Sequence, residues 1–204
     1  MCTSASELYY SFTKKRFVYN ITPIENIPSI LEHGLMSYDK MKALVHRSIA
    51  LNTVQERREK VILPNGTRLH SYANMYFSYW NPMLCKRKDI SASLCILAFN
   101  ATVLDIPGCV LTDRNAATSL VRFYTPLVGL RELDFERIHA KYWTDDDIYV
   151  MRENRAVKCA EILIPQVVPS EFINSACVYN DNAKQALVEM GFHKDIYVAP
   201  DNFF

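Results

Sequence analysis

The chain has 204 residues, of which 50% are hydrophobic and 22% charged, and its formal net charge is +1. This length and composition predict one folded domain over residues 1–204 and exclude a disordered protein, while the near-neutral charge excludes the broad basic surface of a duplex-coating protein. Because no apolar stretch approaches the roughly 20 residues that cross a bilayer and no signal-peptide pattern opens the sequence, we expect a cytoplasmic protein with no membrane role.

The first half of the chain predicts a strand and two helices before an aromatic stretch. Residues 16–21 predict the strand, and residues 23–33 predict a helix because isoleucine and leucine recur there at helical spacing. Gly34 stands where a left-handed residue closes a helix. Residues 48–60 predict the second helix. The aromatic residues of 69–84 are typical of a core, with a flat slot for a nicotinamide or a base as the alternative.

The second half mixes strands and helices without the regular alternation of a doubly wound parallel sheet, so the predicted fold class is α+β. The predicted elements are a buried strand over 93–99, a helix over 113–123, a loop or helix end over 149–155, a strand over 160–164, a helix over 180–190 and a last short strand over 196–198. The six cysteines, Cys2 among them, have no zinc-like spacing, so we expect reduced core thiols and no metal.

Glu161 is the most unusual residue of the sequence, because the predicted strand around it is otherwise apolar. A buried unpaired carboxylate costs several kcal/mol, so it must be paired or functional unless the strand is half-exposed and Glu161 faces outward. The adjacent Arg57 and Arg58 are usually solvated in such a position, and their functional alternative is phosphate binding. His70 and His139 carry only a structural interpretation.

Several blocks, none of them decisive alone, occur in an order that resembles the DarT family. The blocks are Tyr19-Asn20-Ile21-Thr22 with residues 24–35, Ser48-Ile49-Ala50 with residues 54–58, residues 69–77 with Asn81-Pro82-Met83-Leu84, residues 111–117, and residues 160–165. The resemblance extends from about residue 17 to residue 192. DarT proteins are toxins that transfer ADP-ribose from NAD+ to bases of single-stranded DNA. The resemblance therefore implies an ADP-ribosyltransferase-like fold with two central sheets forming an NAD+ cleft.

The same resemblance assigns roles by position. Glu161 becomes the catalytic glutamate and Arg58 the catalytic arginine, with Arg57 as the alternative. The implied NAD+-binding residues are Asn20, Thr22, Asn26, Gly34, Leu35, Arg58, Tyr76 and Met83. Residues 139–158 would recognise the target base. The basic runs offer phosphate contacts, for which we expect Arg87, Arg152 and Arg155, although such runs are usually just solvated surface.

One position departs from the family pattern, since Asn20 stands where DarT proteins usually have histidine. Asparagine keeps a donor and an acceptor but cannot carry the charge of an imidazolium. The resemblance implies NAD+ as co-substrate, single-stranded DNA as partner, and a DarG-like antitoxin that reverses the mark. The expected target base is thymine. The alternatives are the same chemistry on guanine and a catalytically silent module that binds single-stranded nucleic acid.

Overall fold

The computed structural model describes residues 4–42, 46–48 and 52–204. The helices in these ranges are α1 (Ala5–Thr13), α2 (Ile27–His33), α3 (Tyr38–Met41), α4 (Asn52–Glu59), α5 (Pro82–Cys85), α6 (Pro126–Glu132), α7 (Phe135–His139), α8 (Ile148–Val157) and α9 (Asp181–Glu189). The strands are β1 (Phe17–Pro23), β2 (Leu35–Met36), β3 (Tyr72–Tyr76), β4 (Leu94–Asn100), β5 (Val110–Thr112), β6 (Phe123–Tyr124), β7 (Glu161–Pro165), β8 (Val167–Val168), β9 (Ile173–Val178) and β10 (Asp195–Val198).

Eight strands run in the order β10-β9-β4-β1-β3-β7-β5-β6, and β2 pairs with β8 in a small separate sheet. Only β9 and β10 are parallel in this order; the other neighbours are antiparallel. The central strands β1 and β3 are partnered at a single position, Tyr19 opposite Tyr76. The order therefore consists of two four-stranded halves joined at one point, which are the two central sheets that the resemblance implies.

The core fills the faces of these two halves. Strand β4 is buried at every residue except Asn100, which matches its unbroken apolar sequence. Helix α1 is held at its start by a capping box between Ser4 and Glu7, and its Tyr9 packs against Phe77 and Phe135. Gly34 closes α2 with φ of 80°, and a Cβ there would lie 2.5 Å from the carbonyl oxygen of Val168. The left-handed closure predicted for this glycine is confirmed.

Most predicted elements are present within one to four residues of the predicted ends. Two predictions are wrong. Residues 113–123 form turns followed by β6 instead of a helix, because Asp113 and Asn115 side chains accept hydrogen bonds from nearby backbone N–H groups. Residues 149–155, interpreted as a loop or helix end, lie inside α8, which Asp147 caps by accepting from the N–H groups of Tyr149 and Val150.

Some predictions fall on residues outside the described ranges, namely Cys2, Ile49, Ala50 and the start of the helix expected over 48–60. The five described cysteines have free thiols, and Cys95 and Cys109 are buried in the core. No helix in the described ranges is both long and apolar enough to cross a bilayer. Among the same residues, no cluster of three His, Cys, Asp or Glu side chains is arranged to hold a metal ion.

Candidate active site

A cavity of about 600 Å³ opens where the two halves of the sheet diverge beyond Tyr19 and Tyr76. Its walls come from β1, from β3, from the small sheet at β2, and from helices α4, α5 and α8. All eight residues expected to bind NAD+ line this cavity, and so do the three arginines expected to contact DNA. The structure therefore brings together residues that are up to 135 positions apart in the sequence, from Asn20 to Arg155.

Glu161 lies behind this cavity with no exposed surface. It begins β7 directly opposite Tyr76 of β3, next to the point where the sheet divides. Its Oε1 accepts hydrogen bonds from Arg58 Nη1 at 3.0 Å, Asn115 Nδ2 at 2.7 Å and the Ala116 N–H at 3.4 Å, while Oε2 accepts from Arg58 Nη1 at 3.0 Å. The reading of Glu161 as an outward-facing residue is therefore wrong, and its charge is paired.

Arg58 and Arg57 are neighbours in α4 with opposite environments. Arg58 is 7% exposed and donates to Glu161, while Arg57 is exposed and its Nε donates to the carbonyl oxygen of Thr53 in its own helix. Successive residues of a helix point about 100° apart, so only one of the two can face the carboxylate. The geometry selects Arg58 as the partner of Glu161. The usual solvated interpretation holds for Arg57 and is wrong for Arg58.

The loop after β5 holds Glu161 from the other side. Thr112 is buried, and its hydroxyl accepts from the Glu161 backbone N–H at 3.0 Å and donates to the Arg114 carbonyl oxygen at 2.7 Å. Asn115 donates to the carboxylate through Nδ2 and accepts from the Ala117 N–H through Oδ1. The carboxylate is thus fixed by four hydrogen bonds from three donors, which is the preorganisation that electrostatic catalysis requires.

The polar residues of β1 and the segment after it form one hydrogen-bonded wall of the cavity. Asn26 donates to the hydroxyl of Thr22 at 3.2 Å, and its amide group also binds the backbone N–H and carbonyl oxygen of Arg47. Asn20 donates to the carbonyl oxygen of Asn74 at 3.1 Å, which bridges β1 and β3. Its Oδ1 is buried and accepts no hydrogen bond from the described residues. The Asn20 residue itself lines the cavity.

Apolar surfaces complete the cavity. Leu35 follows Gly34 into the small sheet, and Met83 lies in α5, which Asn81 caps by accepting from the N–H groups of Met83 and Leu84. Tyr76 is buried between the two halves, where burial and then the charge of Glu161 raise the pKa of its hydroxyl. The rest of the aromatic stretch packs elsewhere, since Phe77 is in the core and Trp80 packs against Phe204.

Cations surround the cavity. The basic side chains among its lining residues are Arg47, Arg57, Arg58, Lys86, Arg87, Arg152 and Arg155. Arg58 is paired with Glu161, and Arg47 contacts Glu25. No Asp or Glu occurs among the described residues that line the cavity. A chain of net charge +1 therefore carries a local basic surface around this cavity, as nucleic-acid binding would require.

Residues 139–158 comprise the end of α7, a connecting segment and helix α8, and Arg152, Arg155 and Ala156 of α8 line the cavity as its outer wall. Lys158 is 1% exposed, and its Nζ donates to the carbonyl oxygens of Ile138 and Ala140, which ties the end of α8 to the end of α7. Burial lowers the pKa of Lys158 to about 8. His139 stacks on Phe135, and burial lowers its pKa to about 3. Lys158 follows Arg152 and Arg155 in the same basic run, and it is not the solvated surface charge that such runs usually carry.

His70 has the structural role expected of it, and the structure shows what it supports. Its ring packs against Tyr38 in a tilted arrangement, with ring centroids 4.3 Å apart, and its Nε2 lies 3.2 Å from Oε1 of Gln55 in α4. Burial and then the nearby Arg58 lower the pKa of His70. A neutral ring that donates from Nε2 fixes the Gln55 amide, which lines the cavity one helical turn before Arg58.

Sequence reasoning missed Thr112, Asn115, Gln55 and Asn74 as parts of this site. All four lie inside blocks that carry the resemblance, so their positions were marked but their roles were not. A signal existed for Asn115, because a polar residue beside Ala116-Ala117 is available to cap or to bind a carboxylate. No comparable signal exists for Asn74, which contributes its backbone carbonyl to Asn20.

Comparison with known proteins decides the family. Residues 19–204 match the family model described as ssDNA thymidine ADP-ribosyltransferase, DarT. The chain belongs to the DarT family. It is 32% identical over 184 residues to a DNA ADP-ribosyl transferase of Thermus sp. (strain 2.9), a match that covers 85% of this chain and 86% of the relative. The chain is therefore a DNA ADP-ribosyltransferase-family enzyme, of the glycosyltransferase type.

Solved structures of the DarT family agree with this fold. The Thermus sp. 2.9 DarT in complex with ADP-ribosylated ssDNA is 27% identical, with a TM-score of 0.80 over 94% of this chain and 97% of that one. The same protein in complex with NAD+ gives a TM-score of 0.76 over 93% and 98%. A Thermosipho africanus transferase–DNA ADP-ribosyl glycohydrolase fusion protein is 27% identical over 95% of this chain, which spans 50% of the fusion.

Proposed function

We propose that the protein transfers ADP-ribose from NAD+ to thymine in single-stranded DNA. The observation that carries this proposal is the buried Arg58–Glu161 pair beside a basic cavity whose described lining contains no carboxylate. A binding module would gain nothing from burying that carboxylate, because burial of an ion pair is costly and rarely stabilises a fold. Membership of the DarT family and the thymidine in the family description support the same reaction.

NAD+ fits the chemistry of the cavity as a co-substrate. Its volume of about 600 Å³ lies within the roughly 300–1,000 Å³ of small-molecule sites. The NAD+ pyrophosphate is an anion, and the arginines of the walls offer planar donors for it. The side chain of Asn20, which lines the cavity, offers the dinucleotide a neutral contact in place of the histidine that DarT proteins usually have at this position.

The reaction exchanges one glycosidic bond for another. The bond from the ribose anomeric carbon to nicotinamide breaks, and nicotinamide leaves as a neutral molecule with the electron pair. Positive charge then develops at the anomeric carbon, as in glycoside chemistry, and the fixed carboxylate of Glu161 stabilises it. A ring nitrogen of thymine forms the new bond and loses its proton, which Glu161 or Arg58 assists by acting as base or by polarising the base oxygen.

Single-stranded DNA meets the outer wall of the cavity in this proposal. Arg87, Arg152 and Arg155 contact phosphates, and residues 139–158 recognise the target base. A base must leave any stack to enter the cavity, and in a duplex that costs a few kcal/mol that a single strand does not spend. Few phosphates are neutralised by this small group of cations, so affinity comes from the cavity as well as from the backbone.

The proposal includes a role as the toxin of a toxin–antitoxin pair acting in the cytoplasm. The partner would be a DarG-like antitoxin with DNA ADP-ribosyl glycohydrolase activity. The fused transferase and glycohydrolase of Thermosipho africanus supports this, because one chain there carries both activities by name. Expression of the chain with and without such a glycohydrolase tests the role: growth arrest that the glycohydrolase relieves supports it, and arrest that persists contradicts it.

The target base is tested with purified protein, NAD+ and four single-stranded oligomers, each carrying one thymine or one guanine in an adenine–cytosine background, in two sequence contexts. Mass spectrometry of the oligomer and nicotinamide release are measured together. We expect one ADP-ribosyl group on thymine oligomers and none with the Glu161→Gln variant. Modification of the guanine oligomers alone would mean that the target base is guanine and not thymine. DNA binding without nicotinamide release would make the protein a silent binding module.

A further inference from the structure

The loop that holds Glu161 is itself held by an ion pair to helix α8. Arg114 Nη2 donates to Glu153 Oε1 at 2.9 Å, and Nη1 donates to Oε2 at 3.2 Å, so the pair is bidentate. The Arg114 side chain is 15% exposed and that of Glu153 46%. A bidentate arginine–carboxylate contact fixes the relative orientation of two elements as well as their distance. It therefore sets where the loop after β5 lies against α8.

Thr112 and Asn115, close to Arg114 in the loop, both contact Glu161. The Thr112 hydroxyl accepts a hydrogen bond from the Glu161 backbone N–H and donates one to the carbonyl oxygen of Arg114 itself. Asn115 donates to the Glu161 carboxylate at 2.7 Å, the shortest of its hydrogen bonds. A displacement of Arg114 thus reaches the carboxylate through two contacts, one at the backbone and one at the side chain.

Helix α8 connects this loop to the outer wall of the cavity. Arg152 and Arg155 line the cavity, and Glu153 lies between them in the sequence on a different side of the helix. One helix therefore carries the proposed DNA contacts on one side and the anchor of the Glu161 loop on another. No other ion pair in the described part of the chain joins α8 to the loop after β5.

We propose that the Arg114–Glu153 ion pair is a positioning element of the reaction, which aligns the Glu161 carboxylate with the substrate held against α8. The inference rests on the proposed function, since it takes α8 to be the DNA-facing wall. Neither residue touches substrate, and both act through Asn115 and Thr112. Because Glu153 is about half exposed, the pair adds little to the free energy of unfolding, and its effect is on geometry.

The experiment compares Glu153→Gln, Arg114→Ala, their double variant, Asn115→Ala and Arg114→Ala/Asn115→Ala. Glu136→Gln is the matched control, because Glu136 is an exposed glutamate of the neighbouring α7 with no ion-pair partner in the described ranges. Transfer to a single-thymine oligomer gives kcat and the KM for each substrate. Nicotinamide release without DNA and the thermal unfolding midpoint are measured on the same samples.

We expect kcat to fall about 10-fold in Glu153→Gln and in Arg114→Ala, since small misalignments of reacting groups are costly. The double variant should be no slower than either single variant, and Arg114→Ala should add nothing to Asn115→Ala. The KM for the oligomer and the unfolding midpoint should stay close to those of Glu136→Gln, whereas loss of a merely structural contact would lower the midpoint in parallel with the rate.

Other results overturn the inference. If Glu153→Gln and Arg114→Ala are as fast as Glu136→Gln, the pair has no role in the reaction. The same follows if the fold-losses in rate of the two single variants multiply in the double variant. An effect confined to the KM for the oligomer would make Glu153 part of DNA binding instead. If the parent protein releases nicotinamide but modifies no oligomer, the proposed target has failed, and the same ratios in nicotinamide release still decide the role of the ion pair.

Discussion

The cavity has arginines on two walls, an inner wall at Arg58 of α4 and an outer wall at Arg152 and Arg155 of α8. The two walls hold their arginines in opposite ways. Arg58 in the inner wall is buried and donates to the Glu161 carboxylate. The same carboxylate accepts hydrogen bonds from the Asn115 side chain and the Ala116 N–H. Arg152 and Arg155 in the outer wall are exposed and form no ion pair with a described residue. Burial with fixed partners makes a charge part of an oriented network, while exposure leaves it as a mobile, salt-screened contact.

The difference predicts where each substitution acts. Changes in the inner wall should lower kcat, because the network there is fixed toward charge that appears only during the reaction. Changes in the outer wall should raise the KM for DNA and alter its salt dependence, because the contacts there are formed equally with bound substrate and transition state. Four predictions test this division, beginning with the largest effect.

Glu161→Gln should lower the rate of transfer by about 1,000-fold or more, because the neutral amide keeps the size of the side chain but not its charge. The amide oxygen still accepts from Arg58, so the unfolding midpoint should change little. Glu161→Ala is a poorer test, since it leaves the nearly buried guanidinium of Arg58 without its partner. Transfer at near the parent rate by a folded Glu161→Gln variant would contradict the assignment.

Arg58→Lys should lower kcat about 100-fold, because lysine keeps the charge but its Nζ ends one bond short of the Nη1 atom that donates to both oxygens of Glu161. Arg57→Lys is the matched control, one residue away and exposed, and it should stay within about 3-fold of the parent. Steady-state kinetics on one oligomer measures both. The reverse ranking would mean that Arg57 is the catalytic arginine.

Arg152→Ala and Arg155→Ala should each raise the KM for a single-stranded oligomer a few-fold while kcat changes less. Each lost phosphate contact should reduce the slope of log affinity against log salt concentration by about 0.7. The parent slope itself should be shallow, with about 2–4 phosphates neutralised, and duplex oligomers should be modified far more slowly. A steep parent slope or equal activity on duplex DNA would show that the walls do not divide in this way.

His139 beneath the outer wall gives the smallest effect, on stability against pH. Burial lowers its pKa to about 3 in the folded chain, below the roughly 6.5 of the unfolded chain. The unfolded state therefore binds more protons between pH 3 and 6.5, so this contribution to stability is full above pH 6.5 and is lost as the pH falls. His139→Phe should lose less stability than the parent between pH 6.5 and 4 in thermal unfolding; an unchanged profile would contradict the neutral ring.

The sequence predicted the strands well, because buried strands are written as unbroken apolar runs at residues 93–99 and 160–164. It failed where side chains compete for the backbone. Asp113 was predicted to cap a helix. Its side chain instead accepts a hydrogen bond from the N–H of Arg122 and closes a loop. Helix α8 was not predicted as a helix, and its apolar start is misleading, because Ile148, Tyr149 and Val150 are exposed and do not mark the buried face.

The candidate site was predictable only as a set of positions. The order of the motif blocks indicated Glu161 and both arginines of α4, but Val54 is the one apolar residue of that helix, so its inward face cannot be determined from hydrophobic periodicity. The choice of Arg58 over Arg57 required the structure. The roles of Asn115 and Thr112 also required it, because their partner Glu161 lies more than 40 residues away in the sequence.

The pairing of Glu161 with Tyr76 at the start of β7 restricts how this chain can change in length. Side chains of a strand alternate between its two faces, so the insertion or deletion of one residue before Glu161 would exchange the faces of the carboxylate and of Ile162, which is fully buried in the core. No strand register lies between the present one and the one shifted by a residue. The turn before β7 therefore tolerates replacement of residues far better than any change in their number, and natural variation in loop length is expected elsewhere in the chain.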